Sequence, residues 1–144
     1  MKPVPHLIGS AVIGGLFFTF TRSLSSSIAC FVAGVLYDLD HFVDYLIHYR
    51  KRAKGLKHFY TACVEVEMER SYIVLHSYEL IMILWICIVV LQLELVWLAI
   101  AIGITQHIML DQFGNKGAKQ KYFLWYRAKK RFQTKDLFLG SKKK

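Results

Sequence analysis

The sequence predicts an all-α fold: an integral membrane bundle of about four short transmembrane helices. Hydrophobic residues make up 55% of the 144 residues, and four apolar runs cover residues 7–20, 24–36, 80–91 and 95–104. The formal net charge is nevertheless +9. This hydrophobicity excludes intrinsic disorder, and three cysteines are too few for a disulfide scaffold. Apolar segments that alternate with basic ones are typical of membrane proteins.

The four apolar runs form two pairs, and a short polar break divides the two runs of each pair. Residues 21–23 divide the first pair, and residues 92–94 divide the second. The runs hold 10 to 14 residues each, against roughly 17–25 for a typical transmembrane helix, but mildly polar flanks lengthen them. A soluble four-helix bundle is the alternative. Run 80–91 lacks the polar face of a soluble helix, and a chain this small cannot bury four such helices completely.

Small residues recur at a spacing of four within the first two runs. Examples are Ser10 with Gly14, and Cys30 with Gly34. Because residues four apart share a helix face, this spacing lets helix backbones approach closely in lipid.

The distribution of lysine and arginine predicts the orientation in the membrane. Eighteen of the 19 basic residues precede the first run, lie in the loop at about 44–75, or lie in the tail 112–144. Arg22 is the exception. By the positive-inside rule, both termini and the loop are cytoplasmic, so the number of spans is even. We therefore expect a multi-pass protein of the cell membrane with four spans.

Histidines and carboxylates adjoin the cytoplasmic ends of these expected spans. Their spacings of three and four place pairs on shared helix faces, and ionisable groups at membrane depth are functional by default. Imidazoles combined with carboxylates suit Zn²⁺, Mn²⁺ or Fe²⁺ better than Ca²⁺. The expected ligands of one or two divalent ions are His6, Asp38, Asp40, His41, His76, His107 and Asp111.

Such a site predicts hydrolytic chemistry. Two divalent ions roughly 3.5–4 Å apart, bridged by an aspartate, lower the pKa of water to about 7 and create a nucleophile. Asp38, Asp40 or Glu79 is the expected general base, with Asp40 and Glu79 preferred, and Glu79 is also considered as a ligand or a salt-bridge partner. One metal ion with three ligands is the open alternative.

Four segments resemble the YdjM-like family of predicted membrane-bound metal-dependent hydrolases. They are His6, the segment GVLYDLDH at 34–41, the pair His76-Ser77, and the segment GITQHIMLD at 103–111. Residues 6–111 thus match in order. The resemblance implies that the seven expected ligands line one metal site. Tyr37 stands where members often carry Pro, and Ser71-Tyr72 stand where they often carry His-Arg.

The tail 112–144 is expected to form a basic, aromatic cytoplasmic segment beside a membrane metal-site domain at 1–111. Residues 119–132 mix lysine and arginine with tyrosine, phenylalanine and tryptophan. Such a segment favours anionic lipid headgroups. Nucleic acid is the weaker competitor, because bases also stack on aromatic rings.

The predicted function is that of a membrane-embedded metal-dependent hydrolase. In it, metal-activated water attacks a phosphoester or lipid-type substrate at the cytoplasmic interface. A divalent-metal transporter and a non-enzymatic membrane protein stapled by its metal are the alternatives. All expected ligands lie on one side of the membrane, which argues against a permeation path. A structural site is usually closed, whereas a catalytic site keeps an open position.

Overall fold

The structure is a computed structural model that describes residues 3–50, 55–64 and 68–138. It contains eight helices in this part of the chain. Several basic residues that were used to predict the orientation lie outside it, including Lys2, Lys51 and Arg52. The helices are α1 (Pro3–Thr21), α2 (Leu24–Leu36), α3 (Leu39–Tyr49), α4 (Leu56–Val64), α5 (Tyr78–Val90), α6 (Leu95–Gly114), α7 (Leu124–Lys129) and α8 (Thr134–Leu137).

The chain divides into two compact units. The first combines residues 1–37 and 78–113, and therefore holds α1, α2, α5 and almost all of α6. The second combines residues 38–77 and 114–144, and holds the four shorter helices. The predicted boundary between residues 111 and 112 stays a prediction.

The helices of the first unit end where the sequence predicted breaks. Arg22 adopts a positive φ of 57° between α1 and α2, and Ser23 caps α2 through its side chain. Gln92 has a φ of 48° between α5 and α6. A left-handed residue reverses the chain at a helix end, so the predicted breaks at 21–23 and 92–94 are confirmed.

Close backbone approach organises the first unit. A Cβ atom on Gly103 would collide with the backbone carbonyl of Cys30, and one on Gly34 would collide with the Ser10 hydroxyl. The Ser10 hydroxyl also donates to Gln106 Oε1 at 3.1 Å. Small residues therefore let α1, α2 and α6 pack closely, as the spacing of four predicted for the first two. Phe17, Cys30 and Ala99 form the apolar cluster of this unit.

Three helical stretches are long and apolar enough to cross a membrane. They are Pro3–Thr21, Leu24–Tyr49 counted through the turn at 37–38, and Leu95–Gly114. Helix α5 is equally apolar but has only 13 residues. Large apolar side chains cover the outside of the first unit, with Phe20 85% and Val89 72% exposed. These features are those of a membrane protein. Four spans and cytoplasmic termini stay predictions.

The second unit combines the helical pair α3 and α4 with extended segments. Tyr45, Ala62 and Met68 form its buried cluster. Residues 69–71 run beside residues 132–134: the Ser71 N–H donates to the Phe132 carbonyl at 2.9 Å, and the Thr134 N–H donates to the Glu69 carbonyl at 3.1 Å. Segment 132–138 of the tail is thus part of this unit's packed structure.

Candidate metal centre

Helix α6 presents His107 toward α2 with its tautomer fixed. His107 is fully buried, and its Nδ1 lies 2.6 Å from the Gly34 carbonyl oxygen. A carbonyl oxygen can only accept a hydrogen bond, so Nδ1 carries the proton. In a neutral ring, Nε2 then keeps its lone pair, which is the state that binds a metal ion. The Tyr37 ring lies edge-on to His107, with the centroids 5.5 Å apart.

His6, in the first turn of α1, stacks on His107. The ring centroids are 3.9 Å apart and the planes differ by 18°. Both rings face one carboxylate: His6 Nε2 lies 3.2 Å from Asp111 Oδ1, and His107 Nε2 lies 3.7 Å from Asp111 Oδ2. All three side chains are buried. Within the described residues, His6 Nδ1 makes no hydrogen bond, and Nε2 has only the ion-pair contact with Asp111. A buried nitrogen such as Nδ1 needs a hydrogen-bond partner.

In the second unit, Asp38 faces two histidines. Its Oδ1 lies 3.5 Å from His41 Nε2 and 3.3 Å from His76 Nε2. Asp38 stands at the N-cap of α3, a position that favours aspartate, but its side chain makes no capping hydrogen bond. The Asp38 carboxylate therefore contacts the histidines and does not cap the helix.

Asp40 orients His76 from the opposite edge of the ring. The His76 Nδ1 lies 2.9 Å from Asp40 Oδ2. An ionised carboxylate accepts a hydrogen bond from Nδ1–H. The unprotonated Nε2 then faces Asp38. A carboxylate behind an imidazole in this way is common in metal sites, where it fixes the ring and raises its basicity. Asp40, His41 and His76 offer donor atoms that all lie within 4.8 Å of one another.

The separations between donor atoms agree with the dimensions of a metal site. Two atoms that each lie about 2.0–2.1 Å from a tetrahedral zinc ion are about 3.3–3.4 Å apart. The four distances from a histidine Nε2 to a carboxylate oxygen run from 3.2 to 3.7 Å. These residues therefore fit a divalent ion, although the structure does not determine which metal.

The structure thus brings the predicted ligands together within each unit. The first unit assembles His6, His107 and Asp111, and the second assembles Asp38, Asp40, His41 and His76. Glu79 is half-buried in the first turn of α5 and, among the described residues, lies outside the groups of donor atoms that are close enough to share a metal ion. Its catalytic role, like that of Asp40, stays a prediction.

Sequence reasoning missed Arg127, which contacts the backbone of His76. In the sequence Arg127 is one of several basic residues between 119 and 132, and nothing marks it as buried. Nothing in the sequence marks His58 as buried either, yet it is half-buried and its Nδ1 lies 2.8 Å from the Tyr45 hydroxyl.

Comparisons of the chain with family models, with curated proteins and with solved structures give no match in any of the three.

Proposed function

We propose that this protein is a membrane-embedded hydrolase that depends on bound divalent metal ions. The observation that carries the proposal is the recurring relation between imidazole and carboxylate. In both units, Nδ1 of one histidine is held by an oxygen acceptor, and its Nε2 faces an aspartate oxygen at 3.3–3.7 Å. Burying two histidines in fixed tautomers costs free energy, and metal ligation is a function that requires such histidines.

Divalent ions at these residues would supply Lewis acidity, which lowers the pKa of water to about 7 and polarises the bond to be cleaved. The side chains of this protein do the positioning. Gly34 and Asp40 fix the orientations of His107 and His76. Asp38, at the start of α3, supplies a carboxylate that is 38% exposed and therefore accessible to water.

The stacked pair of histidines shares the carboxylate of Asp111. His6 and His107 are nearly parallel, and their Nε2 atoms face different oxygens of Asp111. His6, His107 and Asp111 would therefore hold one or two divalent ions, which would supply the Lewis acidity that activates water.

The proposed substrate is a phosphoester or lipid-type molecule that enters from the bilayer at the cytoplasmic interface. Apolar neighbours of the ligands are exposed: Leu7 and Ile8 beside His6 are 49% and 59% exposed, and Met109 beside His107 is 53% exposed. Exposed apolar side chains in a membrane face lipid tails. A lipid can therefore reach the ligand-bearing helices laterally.

The test is hydrolysis by detergent-purified protein reconstituted with Zn²⁺ or Mn²⁺. Its probes are p-nitrophenyl phosphate, bis-p-nitrophenyl phosphate and phosphatidic acid in mixed micelles. We expect metal-dependent product release that is lost in His76→Ala and kept in His48→Ala, because His48 is exposed. Metal binding without any hydrolysis would contradict the proposal. Uptake of Zn²⁺ into liposomes would identify the transporter alternative instead.

A further inference from the structure

A fully buried arginine of the tail donates hydrogen bonds to the segment that carries His76. Arg127 in α7 is 0% exposed. One guanidinium nitrogen donates to the Ile73 carbonyl at 2.5 Å, and the other donates to the His76 carbonyl at 2.6 Å. The guanidinium is a rigid planar fork, so this double contact fixes two carbonyls three residues apart.

Asp44 in α3 holds the same segment at another point. Its Oδ2 accepts the Tyr72 N–H at 3.1 Å, and the carboxylate is buried. The opposite charges of Asp44 and Arg127 attract each other. A buried charge without a counter-charge is strongly destabilising, so the two residues support one another as well as the segment between them.

The turn after α7 also contacts the segment that carries His76. Arg131 and Phe132 both have positive φ values, 51° and 57°. Two consecutive left-handed residues other than glycine are costly, and they persist only where the surroundings impose them. Here the turn presents the Phe132 carbonyl to the Ser71 N–H at 2.9 Å.

From this arrangement we infer that Arg127 is a positioning residue for His76, and that the tail is required for metal binding at Asp38, His41 and His76. The inference rests on the proposed function. His76 precedes α5 and is not inside a helix, so no helical hydrogen-bond ladder holds its backbone. Arg127 acts on the His76 carbonyl, and through the backbone it keeps Nε2 at 3.3 Å from Asp38.

Titration with Co²⁺ tests this inference, because its visible absorption reports both affinity and ligand geometry. The variants are Arg127→Gln, Arg127→Lys and the control Lys129→Gln, which alters an exposed residue of the same helix. Loss of a residue that orients a ligand costs about 10–100-fold in metal affinity. We expect this loss, and an altered cobalt spectrum, for Arg127→Gln.

Arg127→Lys should retain part of the affinity, because an ammonium group keeps the charge but lacks the planar fork. The control should bind as the wild type does. Wild-type affinity and spectrum in Arg127→Gln would overturn the inference alone. If that variant does not fold, as judged by helical circular dichroism, Arg127→Lys decides, and its wild-type behaviour would overturn the inference. Failure of the wild type to bind Co²⁺ would overturn both the proposed function and this inference.

Discussion

The two units hold their histidines by different physical means. In the first unit, His6 and His107 are parts of long helices whose close packing depends on small residues such as Gly34 and Gly103. In the second unit, His76 lies in a segment outside the helices, held by Asp40 and Arg127. Regular helices place a ligand through their own hydrogen bonds, whereas an extended segment needs side chains from elsewhere in the chain.

The largest expected effect concerns a thiol in the second unit. Burial, reinforced by the charges of Asp38 and Asp44, raises the pKa of Cys63 from 9.0 to about 12. Since the thiolate is the reactive form, alkylation of the metal-free protein by iodoacetamide at pH 8 should be slower by orders of magnitude than alkylation of the denatured protein. Peptide mapping by mass spectrometry measures the rate at this site. Equal rates in the folded and denatured protein would show that the Cys63 environment is open.

The same raised pKa gives a dependence of stability on pH. The unfolded thiol ionises near pH 9 and the folded thiol near pH 12. The contribution of Cys63 to the free energy of unfolding is therefore complete below pH 9 and declines as the pH rises toward 12.

Removal of metal should loosen the second unit more than the first. Metal that binds only the folded state at 100 times its Kd stabilises that state by about 2.7 kcal/mol. Dialysis against a chelator should therefore lower the melting temperature. It should also raise amide hydrogen exchange more in residues 68–77 than in α6, which keeps its helical hydrogen bonds. Identical exchange with and without chelator would argue that no metal supports either unit.

A substitution in the first unit tests close helix packing. Gly103→Ala places a Cβ atom against the Cys30 backbone, which cannot yield like a side chain. Overpacking of this kind costs about 1–3 kcal/mol. Gly15→Ala is the matched control, because a Cβ there meets nothing within 4 Å. Thermal unfolding followed by circular dichroism should show a lower midpoint for Gly103→Ala alone, and equal midpoints would refute the close packing.

The smallest expected effect lies in the α3–α4 pair. Tyr45→Phe removes the hydroxyl that contacts His58 at 2.8 Å. A typical hydrogen bond contributes about 0.5–1.5 kcal/mol, so unfolding in guanidinium should show a loss of that size. Tyr60→Phe is the control, because Tyr60 is exposed. An equal loss of stability in Tyr60→Phe would show that the contact between Tyr45 and His58 is not the cause.

The contrast between the units also explains what the sequence could predict. Apolar runs and helical spacing indicated α1, α2 and α6 and placed His107 and Asp111 on one face, because these relations are local. The support of His76 by Arg127 joins residues 51 apart along the chain. No periodicity encodes such a contact, so the role of Arg127 could not be predicted. The pairing of 69–71 with 132–134 was missed for the same reason.

We expect the buried histidines and aspartates to bind metal ions. Elemental analysis of detergent-purified wild-type protein beside His107→Ala, Asp111→Ala and the control Asp136→Ala tests it most directly, since Asp136 is exposed. We predict one or two equivalents of a transition metal in the wild type and control, with loss in the other two variants. No metal in the wild type, even after reconstitution with Zn²⁺ or Mn²⁺, would show that these residues do not form a metal site.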